Sequence, residues 1–564
     1  MQKYKVKTKL AALLAVFFSL TSAGCSSGGG SSSIELPTFE AEDTTEATQG
    51  TSAETTTRKL AVTTEPQTVK ATEPAPAKTG SMPVISINTK NTASSALRFV
   101  TEPVAGHVSH AISTWTPGYV IPPEPYYEAC TITVTDTDST VLLDSEEADV
   151  KVRGNWTTTY DKKPLRIKFS QKQSMLGLND GAECKNWVLL AEYKDYSMLR
   201  DKTALSIARE ILGSDGLYAS DAALAEVYIN GNYWGVYLLT EFQQVNSDRV
   251  DITKPKDGYG GTDIGYFLEF DGYYSNEDAL HSFLPDYHGN APLSPYDGND
   301  GSGRKVKCLS DGSNPYKEDV GITIKSDINS PEQRDFIENY INGVYAIMYN
   351  AAYYGEAYVF TDDMKTIKEA PEMSPEDAVK AVVDVDSLAD SYILNELFCD
   401  ADLYWSSFFM DVDFGEGGSK KLRFEAPWDF DSALGNKDRC ADAQGFYAAN
   451  ELYDVNDTYI SVNPWLTVLM YEDWFQNIIK DKWTAAYDGG VITRALDDIS
   501  SDSTVHEKAF ADNYKKWRNN TTTSDVSSEL CYKALHCSTE KEAADYLADW
   551  LSKRAGFMNE HWHK

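Results

Sequence analysis

The sequence predicts an α+β fold: a β-rich N-terminal part, then a mainly helical C-terminal part, the whole behind a low-complexity stalk. Three observations carry this. Short runs of alternating apolar residues recur between Met82 and Leu239, and from Ser330 onward apolar residues instead return at helical spacing. Between Asp43 and Gly80 stand twelve threonines and few large apolar residues, a composition unable to bury a core. At 564 residues with 42% apolar and 12% aromatic content, the remainder has ample material for sizeable cores.

The chain opens with Lys3, Lys5, Lys7 and Lys9, an apolar run from Leu10 to Leu20, and then Ser22-Ala-Gly-Cys25. This reads as a signal peptide over 1–24, since the apolar run is too short to span a bilayer. The small residues before Cys25 resemble a bacterial lipobox. They predict cleavage there, lipidation of the Cys25 thiol and attachment to the outer face of the cell membrane, with plain secretion as the alternative. Residues 25–80 then form the stalk. A formal charge of −35 disfavours nucleic acid as a partner and limits membrane contact to the lipid anchor. Seven cysteines after Cys25 are no disulfide framework, although Cys531 and Cys537 lie close enough in sequence to pair.

The first folded part is placed at 81–240. Strand patterns occur at Met82–Ile87, Cys130–Val134, Ala148–Val152 and Leu165–Phe169. A helix follows from Ser197 to Leu212, with Leu199, Ala204, Ile207, Ala208 and Ile211 at helical spacing and Gly213 as the stop. Ala225–Ile229 and Trp234–Leu239 flank Asn230-Gly231-Asn232, a strong hairpin signal. The second part, 241–564, begins with a connector and a Gly/Asp/Tyr-rich surface loop over Asp271–Gly303. Ser330-Pro-Glu-Gln caps a helix, a second helix covers Ser387–Phe398, and Ser407–Val412 with Lys421–Phe424 read as a hairpin. Helices close the chain.

The chemistry concentrates after that hairpin, in Phe424-Glu-Ala-Pro-Trp-Asp-Phe-Asp431. Asp429 and Asp431 flank one aromatic, and Asp402 lies upstream in a loop. Hard oxygen ligands at a strand end suit Mg²⁺ or Mn²⁺ bound to phosphates, and strand alternation would point Asp429 and Asp431 the same way. Arg166 and Lys168 likewise share one face of their strand. The order of strands, helix, strands, connector, helices, Asp loop, hairpin and paired Asp is that of an atypical protein-kinase-like, two-lobed fold. Neither GxGxxG nor HRD nor a Walker A sequence occurs, and no CxxC or HExxH signals zinc.

Seven blocks carry a closer resemblance: Arg153-Gly-Asn-Trp-Thr157, Lys163–Phe169, Leu176-Gly-Leu178, Lys185–Leu190, Leu199–Lys202, Asn232–Tyr237 and Pro427–Asp431. In this order they resemble the CotH kinase family, named for the spore coat protein H of bacilli, over roughly Val84–Phe557. The resemblance implies an atypical secreted or surface kinase that uses ATP with Mg²⁺ or Mn²⁺ and phosphorylates Ser/Thr of spore-coat, cell-surface or secreted proteins. On it, Asp402 is the catalytic-loop Asp, and Asp429, with Asp431, is the metal Asp. Arg153, Gly154 and Asn155 form the phosphate-covering loop, Lys168 is the phosphate-binding strand lysine, and Glu241 marks the hinge that meets adenine. Arg200 and Glu210 are further phosphate or lysine contacts. The family's second metal ligand falls on Ser407, where kinases carry Asn. The competing readings are a surface adhesin with a kinase-like fold and no catalysis, and transfer of another nucleotide-derived group such as AMP.

Overall fold

The computed structural model describes residues 80–93, 95–298, 320–453, 460–521 and 524–564. The stretches expected as signal peptide (1–24) and stalk (25–80), Cys25 included, therefore lie outside the described residues, all but Gly80. Alternation forms six strands where expected; a seventh, over Cys184–Leu190, is not among those predicted. β1 (Val84–Thr89), β2 (Glu128–Thr135), β3 (Val141–Val152), β4 (Leu165–Gln173), β5 (Cys184–Leu190), β6 (Ala222–Ile229) and β7 (Asn232–Glu241) carry the first core. One face of each supplies it: Ile85 and Ile87, Ile132 and Val134, Val150 and Val152, Leu165 and Ile167, Trp187 and Leu189, Val227 and Ile229, Tyr237 and Leu239. Between β6 and β7, Asn230 and Gly231 both take positive φ (50° and 72°), the primed turn that Asn-Gly predicts.

The two-lobed, kinase-like arrangement expected, with a β-rich N-terminal lobe, is not what forms. The strands close into a seven-stranded barrel in the order β1-β2-β3-β4-β5-β7-β6. Closure comes from β1, which pairs antiparallel with β2 on one side and parallel with β6 on the other, Val84 facing Glu226. Val526, Leu530, Cys531, Ala534 and Ala543 from the C-terminal end join the barrel core. Cys531 and Cys537 are both free and buried.

The second core is mixed. β8 (Gly265–Asp271), β9 (Ser282–Phe283), β10 (Gly321–Ile324) and β13 (Phe408–Asp413) form a sheet in the order β13-β8-β10-β9; β11 (Tyr358–Phe360) and β12 (Ile367–Glu369) pair separately. Around the larger sheet pack the longer helices, here α1 (Arg200–Gly213), α2 (Pro331–Tyr349), α3 (Val385–Phe398), α4 (Asp473–Asp488), α5 (Val491–Val505) and α6 (Glu540–Trp562). Ser330 and Gln333 complete the predicted capping box at α2. The expected hairpin survives in part: Lys421–Phe424 is not a strand, and its backbone is tied by the single bridges Val383↔Leu422 and Asp411↔Arg423. Although α1 follows directly from the barrel, its Leu205, Ile207, Ala208 and Ile211 bury in the second core. It thereby brings the loop between β5 and α1 against the Asp429 turn.

Candidate active site

The Pro427–Asp431 segment is a turn rather than the end of a strand. Asp429 adopts left-handed backbone (φ 72°) and Phe430–Ser432 follow as one turn of 3₁₀ helix. Strand alternation therefore does not set the directions of Asp429 and Asp431. What fixes the turn is α1: Asp201 Oδ1 accepts a hydrogen bond from the Phe430 amide at 2.7 Å. Phe430 is buried against Phe398, ring centres 5.1 Å apart.

Asp431 makes an ion pair with Lys194, Nζ to Oδ1 2.8 Å, and the same ammonium donates to Ser432 Oγ at 2.6 Å. Asn436 closes the turn by donating to the carbonyls of Asp431 (2.7 Å) and Lys194 (3.2 Å). Ser407 sits beside Asp429, its hydroxyl donating to Oδ2 at 3.5 Å, while its amide donates to Glu269 at 3.1 Å. Asp402 caps its own loop, accepting from the amides of Trp405 and Ser406 through its carbonyl. Its carboxylate faces Lys437, Oδ1 to Nζ 3.7 Å. Arg153 lies 5.5 Å over the Trp428 ring, and its charge reaches Asp429.

The electrostatics separate the acids. Burial, then the neighbouring Asp431 charge, pushes Asp429 up to about 7. Burial also acts on Asp402, but Lys437, Lys194 and Arg439 overcome it and hold Asp402 down at about 2. Burial opposes the charge on Lys194, and the acids Asp431, Asp402, Glu529 and Asp429 outweigh it, so Lys194 stays firmly protonated. Beneath the turn, burial and the Asp431 and Asp429 charges raise Asp201 to about 8. Glu192, buried beside Asp201, is pushed well up by burial and by the Asp201 charge.

The structure thus brings together Asp402, Ser407, Asp429, Asp431 and Arg153. Gly154, next to Arg153, has φ 94°, and a Cβ there would meet Thr157 Oγ1 at 2.5 Å. Asn155 is exposed and opens the Trp156–Thr159 turn. Lys168 and Arg166 do share the outward face of β4, opposite the barrel-filling Leu165, Ile167 and Phe169. Arg166 stacks 4.1 Å over Phe242 and donates to Asn186, whereas Lys168 lies by Tyr127. Glu241 is fully buried: its carboxylate pairs with Arg249 at 3.1 Å and accepts from the Asp221 amide at 3.0 Å. Arg200 is likewise buried on Asp195, and Glu210 pairs with Arg494 at the surface.

Lys194, Lys437, Glu269 and Asp201 were missed by sequence reasoning. The available signal for Lys194 was weak: a charged stretch, Glu192-Tyr-Lys-Asp195, between two of the blocks quoted above.

Among the described residues no group of three or more His, Cys, Asp or Glu is arranged to hold a metal ion. The donor set still suits one kind of ion. Asp429, raised by burial to about 7, would lose its proton to a divalent ion bound beside the Ser407 hydroxyl, whereas Asp431 is already paired with Lys194. A single free carboxylate matches Mg²⁺-type binding, in which phosphates and water supply most ligands.

Fold and site together define an α+β protein, barrel plus mixed domain core, with a buried acid cluster balanced by lysines. The model of the family described as CotH kinase protein matches residues 150–558, most of the chain, and the protein belongs to that family. Membership suggests kinase-like, phosphate-transferring chemistry. No curated protein matches the sequence.

Proposed function

We propose that this protein is an atypical ATP-dependent Ser/Thr kinase acting on extracytoplasmic proteins such as surface or coat components, and that lipid on Cys25 holds it at the outer face of the membrane. The observation that carries the chemistry is the convergence of Asp402, Ser407 and Asp429 at one turn with Arg153, which comes from the barrel far upstream in sequence. In this reading Asp429 holds a divalent ion, which when bound neutralises charge on the nucleotide phosphates.

The residues present account for the rest. Asp402, held at about 2, is ionised at any physiological pH. It is therefore a weak base but a permanent acceptor, and it orients the substrate hydroxyl. Phosphoryl transfer through a loose transition state asks for little more than that orientation. Lys194 keeps Asp431 and the Phe430–Ser432 turn in place, so that Asp429 is presented without rearrangement. Arg153, lying over Trp428, supplies a bidentate donor for phosphate oxygens. The barrel face carrying Arg166 and Val188 packs with Trp428, Phe409 and Phe267 in a small buried apolar cluster, which seats the Trp428 side of the turn against the barrel.

The test is incubation of the full chain with γ-labelled ATP and Mg²⁺ or Mn²⁺, alone and with surface-protein extract, beside Asp402→Ala. Label on protein that disappears in the variant supports the reading. If the wild-type chain neither binds nucleotide nor labels any protein, the reading fails, and a binding module becomes the better description. Mass analysis of the product distinguishes phosphate from AMP.

A further inference from the structure

We propose that Lys437 is a catalytic residue, whose ammonium grips the γ-phosphoryl group as it passes to the hydroxyl held by Asp402. This rests on the nucleotide reading above and deepens it.

Five cations gather around the acid cluster, and their bonding separates them. Lys194 is 8% exposed and committed to Asp431 and Ser432. Lys325 is paired with Glu269 at 3.1 Å. Arg439 is exposed, stacks 4.7 Å from Trp405 and donates to the Ala401 carbonyl. Arg153 lies against Trp428, on the Asp429 side. Lys437 differs from all of these. Among the described residues its one ion-pair partner is Asp402, at 3.7 Å, too long for a hydrogen bond. The two side chains remain 19% and 24% exposed, so the space between them opens to solvent.

The backbone of Lys437 is nevertheless fixed. Its amide donates to Cys440 Sγ at 3.4 Å, and its carbonyl accepts from the Cys440 amide at 3.1 Å. Just before it, Leu434 (φ 49°) and Gly435 (φ 79°) make a tight reversal, pinned by Asn436. A rigidly rooted lysine with its donors largely unspent, beside a permanently charged carboxylate, is arranged to receive an anion rather than to brace the fold.

In the transfer itself the substrate hydroxyl oxygen forms the new P–O bond. The bond from the γ-phosphorus to the bridging oxygen breaks, and its electron pair leaves with ADP. The hydroxyl proton passes to Asp402. Burial lowers the Lys437 pKa and Asp402 raises it; as an ammonium, Lys437 donates to the non-bridging oxygens, whose charge in the loose transition state it offsets.

The distinguishing measurement is calorimetric binding of a non-hydrolysable ATP analogue and of ADP, each with Mn²⁺, to the full-length chain. Lys437→Met should weaken the analogue by about tenfold or more, the loss of a charge-assisted bond, and leave ADP within about twofold. Lys437→Arg should recover most of the difference, and Lys437→Gln should repeat the methionine result without an apolar side chain. Equal losses for both nucleotides, or no loss, would overturn the assignment while leaving the kinase reading standing. Failure of the wild-type chain to bind either nucleotide would bring down both.

Discussion

Replacing Lys194 by methionine removes the cation on which the acidic turn depends. Its side chain is 8% exposed and that of Asp431 12%, so the pair is nearly out of water. Breaking such a pair from one side costs about 3–5 kcal/mol, because the remaining charge is left buried and uncompensated. Here the penalty belongs at the upper end, since Asp429, Asp402 and Glu529 also lean on the same ammonium. Removing both partners, Lys194→Met with Asp431→Asn, takes the stranded charge away and should cost roughly 2 kcal/mol less than Lys194→Met alone. Urea unfolding followed by tryptophan fluorescence reads this directly. With a slope of about 3 kcal/mol per M, the midpoint for the single variant should fall by about 1.6 M and recover by about 0.7 M in the double. A Lys194→Met midpoint within about 0.3 M of wild type, or a double variant no better than the single, would refute the assignment of Lys194 as the counter-ion of the turn.

Three other outcomes follow from particular contacts. Asp402→Asn should lower phosphate transfer by about 10²–10⁴-fold with nucleotide affinity nearly unchanged, measured by labelled-ATP transfer beside calorimetric binding. Gly435→Ala should destabilise by about 2 kcal/mol or more, seen as a lower thermal midpoint: Gly435 has φ 79°, and a Cβ there would lie 2.5 Å from Trp550 Cδ1. Glu540, buried at the start of α6 with Oε1 unpartnered, is raised by burial and by Asp195 from an ordinary 4.5 to about 8. Its folded value lies above its unfolded one, so its contribution is present at low pH and is lost as pH rises from about 4.5 to about 8. Glu540→Gln should flatten that slope, with urea midpoints that converge near pH 5 and diverge in the variant's favour near pH 8.

How much of this was legible depended on the range of the interaction. Asn230-Gly231 and the Ser330 capping box are local devices, and both read correctly because the residues that decide the geometry are neighbours in sequence. Strand existence was legible from alternation. Barrel closure was not, because it rests on β1 pairing with β6 across some 140 residues, and no periodicity encodes which edges meet. β8 was missed for a related reason. Gly265–Asp271 is buried on both faces, so its run Tyr-Phe-Leu-Glu-Phe has little alternation to find. The hairpin after β13 was over-read: Asp411 and Arg423 meet as a single bridge and an ion pair, enough to return the chain but not to form a second strand.

At the site the same logic divides acids from bases. Asp429 and Asp431 stood out because acids beside Trp428 and Phe430 in an apolar segment are conspicuous in sequence, and Asp402 was placed by its loop and the family resemblance. Their lysines did not, since a lysine in a loop looks solvated until the fold buries it. Lys194 reaches the turn only because α1 turns away from the barrel and sinks Leu205, Ile207 and Ile211 into the second core. That crossing sets the loop Ala191–Leu199 against Asp431. The family blocks on either side, Lys185–Leu190 and Leu199–Lys202, are the β5 and α1 ends that hold the loop taut. On this argument the conspicuous segments are the frame, and Lys194 and Lys437, which no motif marks, set the charge state of the acids.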